Sequence, residues 1–271
     1  LHRLIRRQRQ MCIRDSDIGN TNITVGVFEG EKLRATWHMA TVIHRTADEY
    51  AALVLDFLHH QGAHTTDIKG TAMCSVVPPL TTTFDQLSQR YFHVSPLVMA
   101  AGVKSGVRIR MDNPREVGAD RIVNAAAAHH LYHGPVIIAD LGTATTFDTV
   151  SKEGDYLGGA IAPGLITSAE ALFVRASMLP RVELVRPKHA IGTNTITALQ
   201  SGIVFGYVGL IEGVVERIQQ ELGEKAMVVA TGGYAELMAR ETPVINVVNT
   251  DLTLIGLRLI YDMNKAQRDK E

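Results

Sequence analysis

The stretch Asp17-Ile18-Gly19-Asn20-Thr21-Asn22, followed by the mostly apolar run Ile23-Thr24-Val25-Gly26-Val27-Phe28, decides the fold. It predicts a tight turn that places an aspartate and several short hydroxyl and amide side chains at a strand end, before a further β-strand. A near-copy begins at Asp140 and reads Asp-Leu-Gly-Thr-Ala-Thr-Thr-Phe-Asp-Thr-Val. Two such turns, 123 residues apart (140 minus 17), predict a duplicated phosphate-handling fold with a cleft between its halves.

Composition excludes several classes of protein. The 271 residues are 46% hydrophobic and 20% charged, which is typical of a globular chain with a sizeable core. The formal net charge of -1 provides no field that would attract nucleic acid or an anionic membrane, so we expect neither partner. The only cysteines, Cys12 and Cys74, imply no disulfide framework and favour the cytoplasm. The most apolar helix candidate, residues 198–215, contains polar residues and four glycines, and we interpret it as a buried helix.

Residues 1–16 differ from the rest of the chain. They carry five arginines, show neither a strand nor a helix period, and open on Leu. A phosphate turn normally follows an apolar strand, whereas here Arg14, Asp15 and Ser16 precede Asp17, and burying such residues without partners is costly. The segment is therefore either a disordered basic tail or a replacement of the true start. The local inconsistency favours replacement, which mass spectrometry of the protein expressed from its native locus would test.

The first half predicts an α/β layer fold. A hairpin turns at Gly30, and the capping box Thr46-Ala47-Asp48-Glu49 begins a helix that ends near Gly62. The remaining predicted elements are strands over 22–28, 32–38, 70–77 and 97–100 and a helix over 80–91. This order of strands and helices is typical of α/β proteins.

The second half repeats the pattern of strand, Asp-x-Gly turn and hairpin. An Ala-rich helix ends by Gly134-Pro135, so we place one domain over 17–133 and another over 134–271. Its predicted elements are strands over 136–139, 145–150, 156–162, 228–233 and 244–248, and helices over 195–222, from Tyr234, and over 252–263. Four glycines of the long helix, at three-to-four spacing, predict close helix packing; they are Gly202, Gly206, Gly209 and Gly213.

Asp17 and Asp140 occupy matching positions in the two turns. ATP chemistry needs carboxylates for Mg²⁺ and backbone N–H groups and hydroxyls around the phosphates. A single Asp-x-Gly is more simply a turn signal, but two copies followed by small polar residues favour phosphate binding. Gly232-Gly233 is either a turn lying against adenine or ribose, or a strand–helix connection.

Asp120 follows Gly118-Ala119 near the start of a helix. It is either a general base that reaches a substrate hydroxyl or a first-turn carboxylate that the helix dipole favours. Arg121 beside it either holds an anionic group or lies on the solvated face. The sequence contains no G-x-x-x-x-G-K-[ST] phosphate loop. Cys74 lies in a predicted core strand and is expected to be an inert, buried thiol.

Together these motifs resemble the type III pantothenate kinases, a family of the acetate kinase, sugar kinase, Hsp70 and actin superfamily. The resemblance runs in order from Asp17 to about Met263. The motifs that carry it are Asp17-Ile-Gly-Asn-Thr-Asn, Asp112-Asn-Pro-Arg-Glu-Val-Gly-Ala-Asp-Arg121, Asp140-Leu-Gly-Thr-Ala-Thr-Thr146, Gly158-Gly-Ala-Ile-Ala-Pro-Gly164 and Thr231-Gly-Gly233. The Glu-Val-Gly-Ala-Asp-Arg run is the specific one when combined with the second turn.

The resemblance implies duplicated ribonuclease H-like domains of the actin-like ATPase type, with nucleotide in the cleft. It implies transfer of the ATP γ-phosphoryl group to pantothenate, the first step of coenzyme A synthesis, with Asp120 as the proton acceptor. The implied ATP-binding residues are Asp17, Ile18, Gly19, Asn20, Thr21, Asn22, Ile23, Thr24 and Thr143. The implied substrate-binding residues are Met111, where the family usually has an aromatic residue, Gly118, Ala119, Asp120, Arg121 and Thr195.

The resemblance also implies two cations and a second copy of the chain. Asp17 would lie near the Mg²⁺ of ATP, Asp140 would bind a monovalent cation, K⁺ or NH₄⁺, and the protein would be a homodimer. Two alternatives stay open, another small-molecule kinase of the superfamily and a non-catalytic nucleotide-binding accessory factor. A panel of substrates with ATP would distinguish them.

Overall fold

The computed structural model describes residues 11–268, which form eleven β-strands and seven α-helices. The strands are β1 (Met11–Ile18), β2 (Asn22–Glu29), β3 (Lys32–Ala40), β4 (Gly70–Ser75), β5 (Leu97–Val98), β6 (Arg108–Ile109), β7 (Val136–Leu141), β8 (Ala144–Val150), β9 (Asp155–Pro163), β10 (Met227–Thr231) and β11 (Val247–Val248). The helices are α1 (Ala47–His60), α2 (Pro78–Leu87), α3 (Ala119–Tyr132), α4 (Leu165–Arg175), α5 (Thr195–Leu222), α6 (Ala235–Ala239) and α7 (Leu252–Arg268).

The described part of the chain divides into two compact units. The first comprises residues 11–106, 115–127 and 253–268, and the second comprises residues 107–114 and 128–252. The predicted boundary near residues 133–135 differs from this division in three places, the first being that residues 128–133 of the predicted first domain belong to the second unit. Residues 107–114 belong to the second unit because β6 pairs with β9. The chain from Thr253 belongs to the first unit because it packs on α3 and on that unit's sheet.

The two sheets share one strand order. In the first unit the order is β3-β2-β1-β4-β5, with an antiparallel meander of β1 to β3 and parallel pairing of β1, β4 and β5. In the second unit β9-β8-β7-β10-β11 repeats that order and those directions, and β6 adds an edge strand. Each unit has its own apolar core. The internal repeat read from the sequence is therefore visible in the pairing of the strands.

The chain before Asp17 is a strand, so the absence of strand structure expected there was wrong for Met11–Ser16. β1 is the middle strand of its sheet, where it pairs antiparallel with β2 and parallel with β4. Backbone pairing on both sides offsets the unsuitable side chains, among which Asp15 and Ser16 are fully buried. The Ser16 hydroxyl makes no hydrogen bond to any described residue. Residues 1–10 lie outside the described residues, and replacement of the true start stays a prediction.

The structure confirms several elements that local signals in the sequence predicted. Thr46 caps α1, with the Glu49 N–H donating to the Thr46 hydroxyl and the Glu49 carboxylate accepting from the Thr46 N–H. The hairpin at Gly30 and the long helix α5 also lie where the sequence places them. Helix α4 and the short strand β6 were not predicted.

The glycine face of α5 does not pack closely against the described residues, contrary to the prediction. A Cβ atom added at Gly202, Gly206 or Gly209 would meet nothing within 4 Å, and one at Gly213 would meet only the Arg217 side chain, at 3.1 Å. By length and apolar composition α5 is also long enough to cross a membrane. Its opposite face, which includes Ile203, Val204 and Ile211, is buried in the core of the second unit, as in a core helix of a globular protein.

Gly256 lets α7 approach α3 closely, and its replacement should destabilise the first unit. A Cβ atom there would lie 2.2 Å from the Val123 carbonyl oxygen, which is a backbone atom that cannot rotate away. We expect Gly256→Ala to lower the free energy of unfolding by about 1–3 kcal/mol, as overpacking does. Urea unfolding measures the loss, and Gly134→Ala is the control because nothing lies within 4 Å of its added Cβ. Equal stability of the two variants would contradict close packing at Gly256.

Candidate functional site

The first aspartate turn connects β1 to β2. The Gly19 N–H donates to the Asn22 carbonyl oxygen over 3.0 Å, and the Thr41 hydroxyl donates to the Gly19 carbonyl oxygen over 2.7 Å. The side chains of Asn20, Thr21 and Asn22 are exposed, so they are available to a ligand. Ile18 and Ile23 are fully buried in the core. These two residues can therefore contact a nucleotide only through their backbone.

The carboxylate of Asp17 lies beside the thiol of Cys74. Parallel pairing of β1 with β4 places the two residues opposite each other, and the Cys74 Sγ donates to the Asp17 Oδ1 over 3.3 Å. Cys74 is fully buried, as predicted, and burial raises the pKa of its thiol well above 9.0. The thiol therefore stays protonated and keeps its donor. The sequence did not indicate this contact, because it requires Met11–Ile18 to be a strand.

The surroundings of the Asp17 carboxyl group disfavour its ionised form. Burial raises the pKa of this carboxyl from 3.8 to about 6; the hydrogen bond from Cys74 opposes the rise, and the negative charge of Asp120 adds to it. Asp17 and Asp120 thus come close enough in the first unit for their charges to interact. Two carboxylates whose charges interact, one of them desolvated, are a setting in which a cation is favourable.

Asp120 lies in the first turn of α3. Its carboxylate oxygen Oδ1 accepts from the Arg121 N–H over 2.9 Å, and a Cβ atom at Gly118 would lie only 2.5 Å from the same oxygen. Gly118 therefore leaves space for the Asp120 carboxylate. Gly118, Ala119, Asp120 and Arg121 are all partly exposed, so the structure brings these four predicted substrate residues together and leaves them accessible.

The second turn places Asp140 at the end of β7. Asp140 pairs with Thr146 across the hairpin and with Thr231 in β10. The Gly232 Cα lies against its side chain, since an added Cβ would be 2.7 Å from the Asp140 Oδ1, and Gly232 has φ of +88°. Both conditions require glycine at position 232. The structure thus joins the Gly232-Gly233 turn to the aspartate turn, a link that the sequence left open.

Thr143 lies in the turn itself, with an exposed side chain. Its carbonyl oxygen accepts from the Gly164 N–H over 3.1 Å and from the Thr167 hydroxyl over 2.7 Å. The turn is therefore fixed to the start of α4, although α4 was not predicted. The Thr143 side chain is exposed on the surface of this fixed turn.

The last two predicted substrate residues, Met111 and Thr195, also fall in the second unit. The Met111 sulfur lies against Gly158, where an added Cβ would be 2.8 Å away. Thr195 is exposed at the first position of α5, directly after the cap Asn194. The described contacts do not join Met111 or Thr195 to Asp140.

Sequence reasoning missed two buried polar groups of the second unit. The Asp148 carboxylate is fully buried and accepts from the Thr146 hydroxyl over 2.9 Å and from the Tyr156 hydroxyl over 2.6 Å. The Thr145 hydroxyl lies 2.7 Å from the Tyr207 hydroxyl. An aspartate within an apolar strand such as β8 is a usable signal, because a buried carboxylate needs hydrogen-bond donors.

Asp17→Asn should stabilise the protein, and the gain should depend on pH. Between about pH 4 and 6 the folded state holds a proton that the unfolded state releases, so stability falls as the pH rises through this window. Above pH 6 the full penalty of ionised Asp17 is present, and asparagine removes it. We expect a gain of about 1–2 kcal/mol at pH 8, and a much smaller gain at pH 4.5.

Chemical unfolding of both proteins at the two pH values measures this difference. Asp56→Asn is the control, because the Asp56 side chain is 66% exposed and should show no comparable gain. A difference between Asp17→Asn and wild type that is the same at pH 4.5 and pH 8 would contradict a raised pKa at Asp17.

Solved structures share this fold. A protein from Campylobacter jejuni described as a Baf family transcriptional activator superposes with a TM-score of 0.58 at 18% identity, over 93% of this chain and 99% of its own. A protein from Sinorhizobium meliloti described as a 2-dehydro-3-deoxygalactonokinase gives 0.57 at 12% identity, over 93% and 96%. At these identities the likeness concerns the fold alone. It confirms the predicted α/β fold of the actin-like ATPase and sugar kinase type.

Sequence relatives are much more similar. A type III pantothenate kinase of Dehalococcoides mccartyi strain 195 is 60% identical over 250 residues, which are 92% of this chain and 97% of the relative. The enzyme of the same name from strain BAV1 is also 60% identical over 250 residues, 92% of this chain and 95% of the relative. The family model described as type III pantothenate kinase matches residues 15–217, which include both aspartate turns and Asp120. The chain therefore belongs to the type III pantothenate kinase family.

Proposed function

We propose that this protein transfers the γ-phosphoryl group of ATP to the primary hydroxyl of pantothenate, which gives 4'-phosphopantothenate for coenzyme A synthesis. Membership of the family, over almost the whole chain, is the observation that carries this function. The geometry agrees with it, because the first unit holds an accessible Asp120 near the Asp17 turn. Phosphoryl transfer asks a protein mainly for positioning and charge stabilisation, which such turns provide.

Asp120 is the proposed general base. It would accept the proton of the pantothenate hydroxyl as that oxygen bonds to the γ-phosphorus and the bond from phosphorus to the β–γ bridging oxygen breaks. The hydrogen bond from the Arg121 N–H holds one carboxylate oxygen, Oδ1. The other oxygen, Oδ2, is the one proposed to accept the proton. Gly118, Ala119, Arg121, Met111 and Thr195 are the further residues proposed to bind pantothenate.

The two turns are the proposed ATP site residues. Asn20, Thr21 and Asn22 would contact the phosphates through exposed side chains, and Ile18, Gly19 and Ile23 through backbone groups. Thr24 also belongs to this set; its hydroxyl lies 3.2 Å from the His38 Nδ1. Thr143 completes it in the second unit.

Cations complete the proposed site. The close pair of Asp17 and Asp120 suits a hard divalent ion such as the Mg²⁺ that accompanies ATP, and Asp17 would hold it. Asp140 offers a carboxylate beside the backbone of Leu141 and Gly232, and it is the proposed ligand of K⁺ or NH₄⁺. When bound, such ions neutralise the charge that develops on the phosphates.

Asp120→Asn should abolish phosphorylation while ATP still binds. The amide cannot accept the proton, and such a base contributes about 10²–10⁴-fold to the rate. A coupled assay of ADP release with pantothenate, with and without K⁺, measures the rate, and calorimetry measures ATP binding. Asp85→Asn, on α2, is the control, since the Asp85 carboxylate accepts from the Gln89 side chain on the surface of the same helix. An active Asp120→Asn variant would rule out the base, and no pantothenate-dependent turnover of wild type would overturn the function.

The alternatives make different predictions in the same assay. Another sugar or acetate kinase would release ADP with its own substrate and not with pantothenate. A nucleotide-binding accessory factor would bind ATP without turnover. The description of the Campylobacter jejuni protein as a transcriptional activator applies to that protein alone, because its similarity to this chain concerns only the fold.

A second copy of the chain is the proposed partner, and we propose the cytoplasm as its location, without nucleic acid or membrane. Among the described residues, ten of the fifteen exposed large hydrophobic side chains fall within residues 157–196 of the second unit. Val174 is 71% exposed and Met178 is 90% exposed. Such a concentration is typical of an interaction surface. The exposed glycines of α5 add a helix face that a second backbone can approach.

Val174→Asp should therefore convert a dimer into a monomer. A charge in a buried apolar interface is unfavourable because it loses its hydration. Sedimentation at micromolar concentration measures the mass. Ile43→Asp, at an exposed apolar position of the first unit, is the matched control and should leave the dimer intact. A monomeric wild type, or a dimeric Val174→Asp variant, would contradict the proposed interface.

A further inference from the structure

The second aspartate turn is tied to two helices that follow it in the chain. The Thr143 carbonyl oxygen accepts from the Gly164 N–H and the Thr167 hydroxyl, both at the start of α4. Backbone contact is close there, since a Cβ atom at Gly164 would lie 2.3 Å from the carbonyl oxygens of Gly142 and Thr143. The turn is therefore built against α4 by its main chain.

Tyr207 adds a side-chain bridge from α5. Its hydroxyl lies 2.7 Å from the Thr145 hydroxyl and donates to the Pro163 carbonyl oxygen. Because a tyrosine hydroxyl has one proton, which the proline carbonyl must receive, Thr145 is the donor in the first contact. The result is a chain of hydrogen bonds from Thr145 to Tyr207 to Pro163. Bonds linked in this way strengthen one another.

The hydrogen-bonded bridge is buried. Thr145 is fully buried, and Tyr207 is 5% exposed. Pro163 precedes Gly164, so Tyr207 joins the segment after the turn to the residue that leads into α4. Burial raises the pKa of the Tyr207 hydroxyl, so it remains a donor at neutral pH.

We propose that Tyr207 is a positioning residue for ATP: it locks residues 142–145 against the start of α4, so that the Thr143 hydroxyl faces the nucleotide. The inference rests on the proposed function, in which Thr143 contacts ATP. Tyr207 does not touch the ligand; it acts through the shape of the turn. Without the bridge the turn samples other conformations, and ATP binding must order it again.

Tyr207→Phe tests this role, because it removes the hydroxyl and keeps the ring. We expect the KM for ATP to rise about three- to tenfold, which is the effect of one lost hydrogen bond, while the KM for pantothenate changes less than about twofold. Calorimetry of ATP binding without pantothenate should show the same weakening. Thr145→Val should reproduce the effect from the other end of the bridge, and it stands in for Tyr207→Phe where that variant folds poorly.

The double variant Tyr207→Phe with Thr145→Val separates positioning from general loss of packing. If the two hydroxyls act through the same bridge, the double variant should bind ATP about as tightly as the single variant that binds it more weakly. Tyr132→Phe is the matched control, since its hydroxyl accepts from the Asn249 side chain over 3.1 Å in the same unit, away from the turn. It should leave the KM for ATP unchanged.

Two outcomes would overturn the inference. One is unchanged ATP binding in Tyr207→Phe, and the other is additive effects of the two substitutions. The proposed function fails separately, if wild type shows no turnover with pantothenate. The calorimetric comparison of ATP binding still tests Tyr207 in that case.

Discussion

The partly buried charge of Asp17 is the constraint on which the first unit depends. Its carboxylate ends the middle strand of a five-stranded sheet, with one thiol as hydrogen-bond donor and a second carboxylate, Asp120, near it. Folding alone does not favour this arrangement, because burial and like charge both oppose ionisation. In the proposed function, a cation and the phosphates of ATP would offset this cost. The first unit would then contain a carboxylate whose ionisation is favoured by its ligand, at some cost to stability without that ligand.

The second unit supports its aspartate differently, although its sheet repeats the strand order of the first. Asp140 lies against a glycine turn, and the residues after it are held by α4 and by Tyr207. Both turns have a main-chain bond of their own, and in the first turn the hydroxyl of Thr41, directly after β3, donates to the Gly19 carbonyl oxygen. Duplication has thus kept the strand pairing and the position of the aspartate, while the contacts that fix each turn differ. Matching sequence motifs do not imply matching support.

Much of the fold followed from local signals in the sequence. The capping box at Thr46, the hairpin glycine and the two Asp-x-Gly turns act within a few residues, and each lies where it was expected. Met11–Ser16 could not be predicted as a strand, because their pairing comes from β2 and β4 and not from their own side chains. The glycines of α5 were assigned a packing role from spacing alone, and spacing does not say whether a partner is present. The contacts of Cys74 and Tyr207 depend on residues 57 and 62 positions away, beyond the reach of any local pattern.

The place of α7 has a consequence for the order in which the protein is made. The first unit takes its last helix from Thr253 onward, and that helix packs on Val123 and bonds Asn124 through Thr253. The residues of the second unit all precede Thr253. During synthesis the first unit therefore cannot be completed until the residues from Thr253 onward have been translated. All residues of the second unit are available before that point. Until then Gly26 and Gly70 of the first sheet lack the Leu254 and Tyr261 side chains that cover them, and surface exposed in this way favours association with other chains.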